Sequence, residues 1–229
     1  MSTRLEDLQS DYIIDPELIE RAIEDSGADK RIPKTGYVRQ YGGLYPSECD
    51  SVAAHSQAVS LLAVKFAFEV RDALKNLFGT ELDMEEIALM AIFHDHGEGR
   101  SQDPGAISSA IGSCDAKQLE RLGLEASVRG MRVEQRAMAL YDDYRDYRTL
   151  ASIIVHMADT LEGVEKALHA GAGRSPGIVK RATEAAQGAV ASYRHRKAQR
   201  DETKFLVDQL FVPGLSIIGA KYGIELGIS

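Results

Sequence analysis

Residues 91–103, AIFHDHGEGRSQD, set two histidines, two aspartates and a glutamate directly after an apolar run. Imidazoles and carboxylates are the side chains that ligate divalent ions and move protons near neutral pH. Two more such groups sit in apolar helical patterns elsewhere. His55 falls on the same side as Val52 and Val59, and Asp159 interrupts the stripe Ile153, Ile154, Met157, Leu161, Val164 and Leu168. A buried carboxylate or charged imidazole costs several kcal/mol unless it is paired, hydrogen-bonded or bound to a metal. His55, His94, Asp95 and Asp159 therefore need partners, and helical bundles build metal sites from side chains on facing helices.

His94 and Asp95 are about 100° apart around a helix, so both reach one ion only if it sits beside the helix near its end. Gly97 and Gly99 supply that end. Two neutral imidazoles and two carboxylates make a mixed set of formal charge about −2, suited to one divalent ion such as Co, Mn, Mg, Ni, Fe(II) or Zn. No thiolate joins the set, which removes a structural-zinc reading. Four ligands on an octahedral ion leave two positions open for water and a substrate oxygen. The competing view makes His55 and His94 core histidines bonded to carbonyls, with Asp95 and Asp159 as caps or ion-pair members. The adjacent pair after an apolar helix favours the metal site.

The elements that must position these groups are helices. IIDPELIERAIEDSG reads as a short helix with Asp15 as N-cap, Pro16 at the first helical position, and a staple from Ile14 to Ile19. The turn-rich stretch that follows holds Lys34, Tyr37 and Arg39; connections of that length in compact domains tend to be functional. From Asp50 to about Phe78, Val59, Leu62, Ala63, Phe66, Val70 and Leu74 recur at helical spacing. Asp83 and Glu86 resemble a capping box ahead of an almost wholly apolar helix, expected to be central, that delivers His94 and Asp95. RVEQRAMALYDDY and RTLASIIVHMADTLEGVEKALHAG supply further helices, residues 176–210 are helical in composition, and a proline-marked turn precedes a last helix. No stretch alternates at period two, and no repeat or linker divides the chain. The expected fold is all-α, one domain over residues 1–229.

With 44% hydrophobic and 27% charged residues, a chain of 229 is long enough to bury its own core. Cys49 and Cys114 stand far apart, giving neither a zinc knot nor a disulfide framework, so a reducing cytoplasm is expected. No apolar run approaches the roughly 20 residues a bilayer requires, and MSTRLEDLQSDY lacks a signal-peptide core. A formal charge of −8 opposes polyanion binding, so no nucleic acid and no membrane is expected as a partner. The basic run Arg194, His195, Arg196, Lys197 and Arg200 reads as a solvated helix face.

The H…HD…D order resembles the HD-domain superfamily of metal-dependent phosphohydrolases. KRIPKTGYVR, SECDSVAAHSQAVSLLAVKFA, ALMAIFHDHGEGRSQD, RVEQRAMAL, IIVHMADTLEGVEKAL and LFVPGL look like successive landmarks of its 5'-deoxynucleotidase branch, over roughly residues 30–215. The resemblance implies a helical bundle with the metal site in its core, flanked by an N-terminal helix and a C-terminal extension. It implies His55, His94, Asp95 and Asp159 as metal ligands and Glu98 as the acid/base that bridges to the attacking water or protonates the leaving 5'-oxygen. Asp103 matches a second acidic position, which contacts the nucleotide and tests the sugar. Lys34 stands where the family commonly carries an arginine on the phosphate; a lysine is a point charge and not a fork, and Arg39 is the compensating cation. Tyr37 occupies the place of an aromatic residue against substrate, with a packing role as the alternative. His96 is unusual for the branch: it reads first as solvent-facing, second as a contact to phosphate or a second metal.

The implied reaction is hydrolysis of the 5'-phosphate of small nucleotides, deoxynucleotides favoured, in a cytoplasmic homodimer. The open positions also admit stepwise hydrolysis of di- or triphosphates with a second ion, or a nucleotide analogue from a biosynthetic pathway. A guanosine tetraphosphate hydrolase would continue HDxxED, whereas glycine follows the glutamate here. A mixed-valent di-iron oxygenase would need two more well-spaced histidines, and His96 and His156 are poorly placed. The non-enzymatic rival is a metal-bound nucleotide sensor, against which Glu98 speaks.

Overall fold

The apolar stripe of residues 59–74 folds as helix α1 (Val52–Phe78), where Val59, Leu62, Ala63, Phe66, Val70 and Leu74 are all buried. Each large side chain among them contributes about 1.5–3 kcal/mol by leaving water. A computed structural model describes residues 52–97, 116–129, 132–197 and 200–228, with Pro16 and Glu20, both helical. The Ile14/Ile19 staple, the stretch with Lys34, Tyr37 and Arg39, both cysteines, and Glu98 and Asp103 lie outside the described residues.

Helix α1 stops at Gly79, whose φ of 70° is the left-handed conformation that glycine adopts without a Cβ penalty. The Gly79 amide donates to Lys75 O (2.9 Å), the bond of an αL helix end, and the Thr80 amide donates to Leu74 O (3.2 Å). Four residues after Gly79, Asp83 caps α2 (Met84–Phe93), its carboxylate accepting from the amides of Glu85 and Glu86 at 3.0 Å each. The chain then turns back against α1, and α2 buries Ile87, Met90 and Ala91 there.

Helices α3 (Ala116–Val128) and α4 (Glu134–Arg145) pack on each other through Leu124, Val128, Ala137 and Tyr141. Helix α5 (Leu150–Gly171) starts with a reciprocal capping box between Thr149 and Ser152. It contacts α1, α2, α4, α6 (Pro176–Ser192) and the C-terminal helices. Its burial extends around the axis, taking in Ser152, Glu162 and Glu165 besides its apolar residues. The central position is therefore held by α5 and not by α2, where Ile92 is 45% exposed.

Past α6 the chain continues through a π-helical turn (Tyr193–Lys197), α7 (Asp201–Leu206), a second π turn (Val207–Phe211) and α8 (Val212–Lys221). The expected proline-marked turn before the last helix is absent: Pro213 sits in the first turn of α8. The helical run is unbroken from Asp201 to Lys221, and the π turn ahead of Pro213 relaxes the i→i−4 ladder its ring would disturb. In the basic run, Arg194 and His195 are exposed and Arg194 pairs with Asp208 at 3.0 Å, as a solvated face should. The described residues contain helices and no strand, and none of the helices is long and apolar enough to cross a membrane.

Candidate metal centre

Three helices bring the four candidate ligands to one point. His55 projects from the first turn of α1, His94 is the C-cap of α2, Asp95 follows in the turn, and Asp159 comes from the middle of α5. One ligating atom from each lies within 4.8 Å of all the others. His55 Nε2 is 3.0 Å from Asp95 Oδ2, 3.2 Å from Asp159 Oδ1 and 3.2 Å from His94 Nε2. His94 Nε2 is 3.3 Å from Asp95 Oδ2. Both imidazoles are buried, while Asp95 and Asp159 keep 21% and 31% of their side chains exposed, so the cluster opens to solvent on its carboxylate side.

The outer bonds of the two rings fix what they offer inward. His94 Nδ1 lies 2.7 Å from Ala91 O and His55 Nδ1 lies 2.8 Å from Glu162 Oε2. A carbonyl and an ionised carboxylate can only accept, so both Nδ1 atoms carry hydrogen. In the neutral rings each Nε2 then presents a lone pair to the other and to two carboxylate oxygens. One proton shared between the rings relieves this only in part, and a second would set two Nε2–H groups 3.2 Å apart with hydrogen aimed at hydrogen. A divalent cation satisfies all four groups together, and two imidazole nitrogens with two carboxylates are a donor set such ions accept.

The charge balance points the same way. Burial disfavours the His55 imidazolium, yet Glu162, Asp159 and Asp95 outweigh it and hold its pKa well above the usual value. His94 is raised against burial by Asp95 and Asp159, with His55 opposing. Burial works against ionised Asp95, but His94 and His55 hold it well below the carboxylate range. Asp159 is lowered against burial by His55 and His94. The cluster attracts positive charge, which protons and metal ions compete to supply.

Around it lie groups that sequence reasoning did not single out. Tyr144 donates its hydroxyl to Asp159 Oδ2 at 3.0 Å and sets its ring edge against His94. Glu162 is 2% exposed, one turn beyond Asp159, and pairs with Lys166 as well as His55. The signal for Glu162 was its place three residues after Asp159 inside an apolar stripe, where an acid needs a partner. His156, poorly placed in the sequence for a di-iron site, stacks between Tyr144 and Tyr147, centroids 3.7 Å away on each side, with Nε2 on Tyr144 O at 2.9 Å. His96 is exposed, its ring edge on Phe93, outside the four-group cluster.

The family model of the HD domain matches residues 37–198, and the chain belongs to that family. No curated protein and no solved structure matches it. Membership, together with the buried His/Asp cluster, indicates a metal-dependent phosphohydrolase that uses a divalent ion.

Proposed function

We propose that this protein removes phosphate from the 5' position of small nucleotides, deoxynucleotides favoured, with His55, His94, Asp95 and Asp159 as the ligands of one divalent ion. The observation that carries the metal-dependent chemistry is the convergence of two Nε2 lone pairs and two carboxylates within 4.8 Å, with both imidazole tautomers fixed from outside. The choice of a 5'-nucleotide is supported by the order of the sequence landmarks from KRIPKTGYVR to LFVPGL.

When bound, the ion supplies Lewis acidity at a phosphate oxygen and offsets charge that builds in the transition state. The chain's own groups do the rest. Asp95 and Asp159 balance the ion's charge on the solvent side, where substrate arrives. Glu98, the residue after the Gly97 turn, handles the proton: it takes one from water attacking phosphorus or gives one to the leaving 5'-oxygen. Lys34 and Arg39 supply positive charge to the phosphate, Tyr37 an aromatic face to the substrate, and Asp103 the contact that tests the sugar. His96, exposed beside the cluster, is left to a longer phosphate chain. The products are a nucleoside and inorganic phosphate.

The test is phosphate release from ribo- and deoxynucleoside mono-, di- and triphosphates, with Co, Mn, Mg or Ni added to metal-stripped protein. Release from deoxynucleoside monophosphates alone is the expected result. Stepwise release from triphosphates would move the substrate class to longer phosphate chains, and saturable binding without release would make the protein a sensor.

A further inference from the structure

Glu162 is buried between His55 and Lys166 and cannot reach the proposed ion, since its carboxylate lies on the far side of the His55 ring. The fold itself does not call for an acid there. Leu161, Val164 and Leu168 on the same helix are fully buried in the apolar core, and a buried ion pair is often replaced by apolar residues at no loss of stability. Its geometry finds a reason at His55. Glu162 Oε2 takes the Nδ1 hydrogen at 2.8 Å, and Lys166, one turn further along α5, pairs with Oε1.

We propose that Glu162, anchored by Lys166, is a positioning residue for the metal centre: it locks His55 as the Nδ1–H tautomer and keeps the Nε2 lone pair aimed at His94, Asp95 and Asp159. This rests on the metal-centre reading above. With Glu162 in place the ring cannot flip without losing a buried charge-assisted hydrogen bond. Lys166 holds the other carboxylate oxygen, so the acid neither swings away nor adds uncompensated negative charge to the two carboxylates of the cluster. His94 needs no such device, because the Ala91 carbonyl one turn back already fixes it.

The test is Co(II) binding to the metal-stripped full chain, read by calorimetry and by the visible absorption of the bound ion, in wild type, Glu162→Leu and Glu162→Gln. Leucine removes the acceptor and is expected to weaken Co(II) on the order of 10–100-fold, with an altered absorption band. Glutamine keeps an acceptor oxygen without the charge and is expected to restore most of the affinity, a rescue that a mere packing role would not produce. Wild-type affinity and spectrum in Glu162→Leu would overturn the inference and leave the metal centre standing. Failure of wild type to bind Co(II) would overturn both. Should the leucine variant not fold, long-range nitrogen–proton NMR of Cd(II)-loaded wild type decides: Nδ1–H with Nε2 on the ion is expected for His55, and Nδ1 coordination refutes the lock.

Discussion

At the scale of single residues, the candidate centre depends on which atoms carry hydrogen. Ala91 O and Glu162 each take an Nδ1 hydrogen, and the Tyr144 hydroxyl takes one oxygen of Asp159, leaving Oδ1 toward His55. Removing the Tyr144 hydroxyl as Tyr144→Phe should lower the stability of metal-free protein by about 1 kcal/mol in urea unfolding, modest because Asp159 is partly exposed. Glu98→Ala separates chemistry from ligation. Turnover should fall on the order of 100–10,000-fold while metal content by elemental analysis stays at the wild-type level, as expected for a residue that moves a proton and holds no ion. Loss of the ion in that variant would make Glu98 a ligand.

At the scale of elements, the turn that presents Asp95 is fixed by a backbone contact with α3. A Cβ on Gly123 would stand 2.4 Å from Gly97 O, and one on Gly97 would stand 1.9 Å from Glu120 O. Backbone atoms cannot give way as a flexible side chain does, so Gly123→Ala should push α3 off the turn. A cost of about 1–3 kcal/mol in unfolding and reduced turnover are expected, because the turn leads into Glu98. Gly188→Ala on α6 is the control: nothing lies within 4 Å of the added methyl, so helix propensity should make it stabilising by about 0.5–1 kcal/mol. The same contact explains why α3 escaped sequence reading. AKQLERLGLEASV has a thin apolar stripe with Leu122 49% exposed, and Gly123, a weak helix former by type, is there the point of close approach. By contrast α1, α2 and α5 were legible from apolar spacing, and the four clustered groups from their need for partners inside those helices. Glu162 and Tyr144 were not, since an acid or a tyrosine in a helix ordinarily lies at its surface or in its packing. Their role depends on which neighbours the fold supplies.

At the scale of the whole molecule, folding α1, α2 and α5 around one point concentrates two imidazoles and three carboxylates, and the metal-free protein must balance that charge with protons. His55 and His94 have folded pKa values raised above their unfolded ones, so their contribution to stability is present below about pH 6.5 and is lost as pH rises through the raised values. Asp95 and Asp159 have lowered values, so theirs is present above about pH 4 and is lost as pH falls through them. Metal-stripped protein should therefore be most stable at about pH 5–6 and weaken toward pH 8, and a divalent ion should reverse that weakening by binding the deprotonated rings. Thermal unfolding across pH with and without added ion checks this; a stripped protein that gains stability on going from pH 6 to pH 8 would contradict it.

The most direct measurement is phosphate release by metal-stripped protein before and after reloading, alongside Asp95→Ala carried through the same procedure with its metal content determined. Wild type should be silent when stripped and active when reloaded, and Asp95→Ala should hold no ion and release no phosphate under either condition. Release from stripped wild type in the presence of chelator, or from an Asp95→Ala protein free of metal, would contradict a metal-dependent phosphohydrolase built on His55, His94, Asp95 and Asp159.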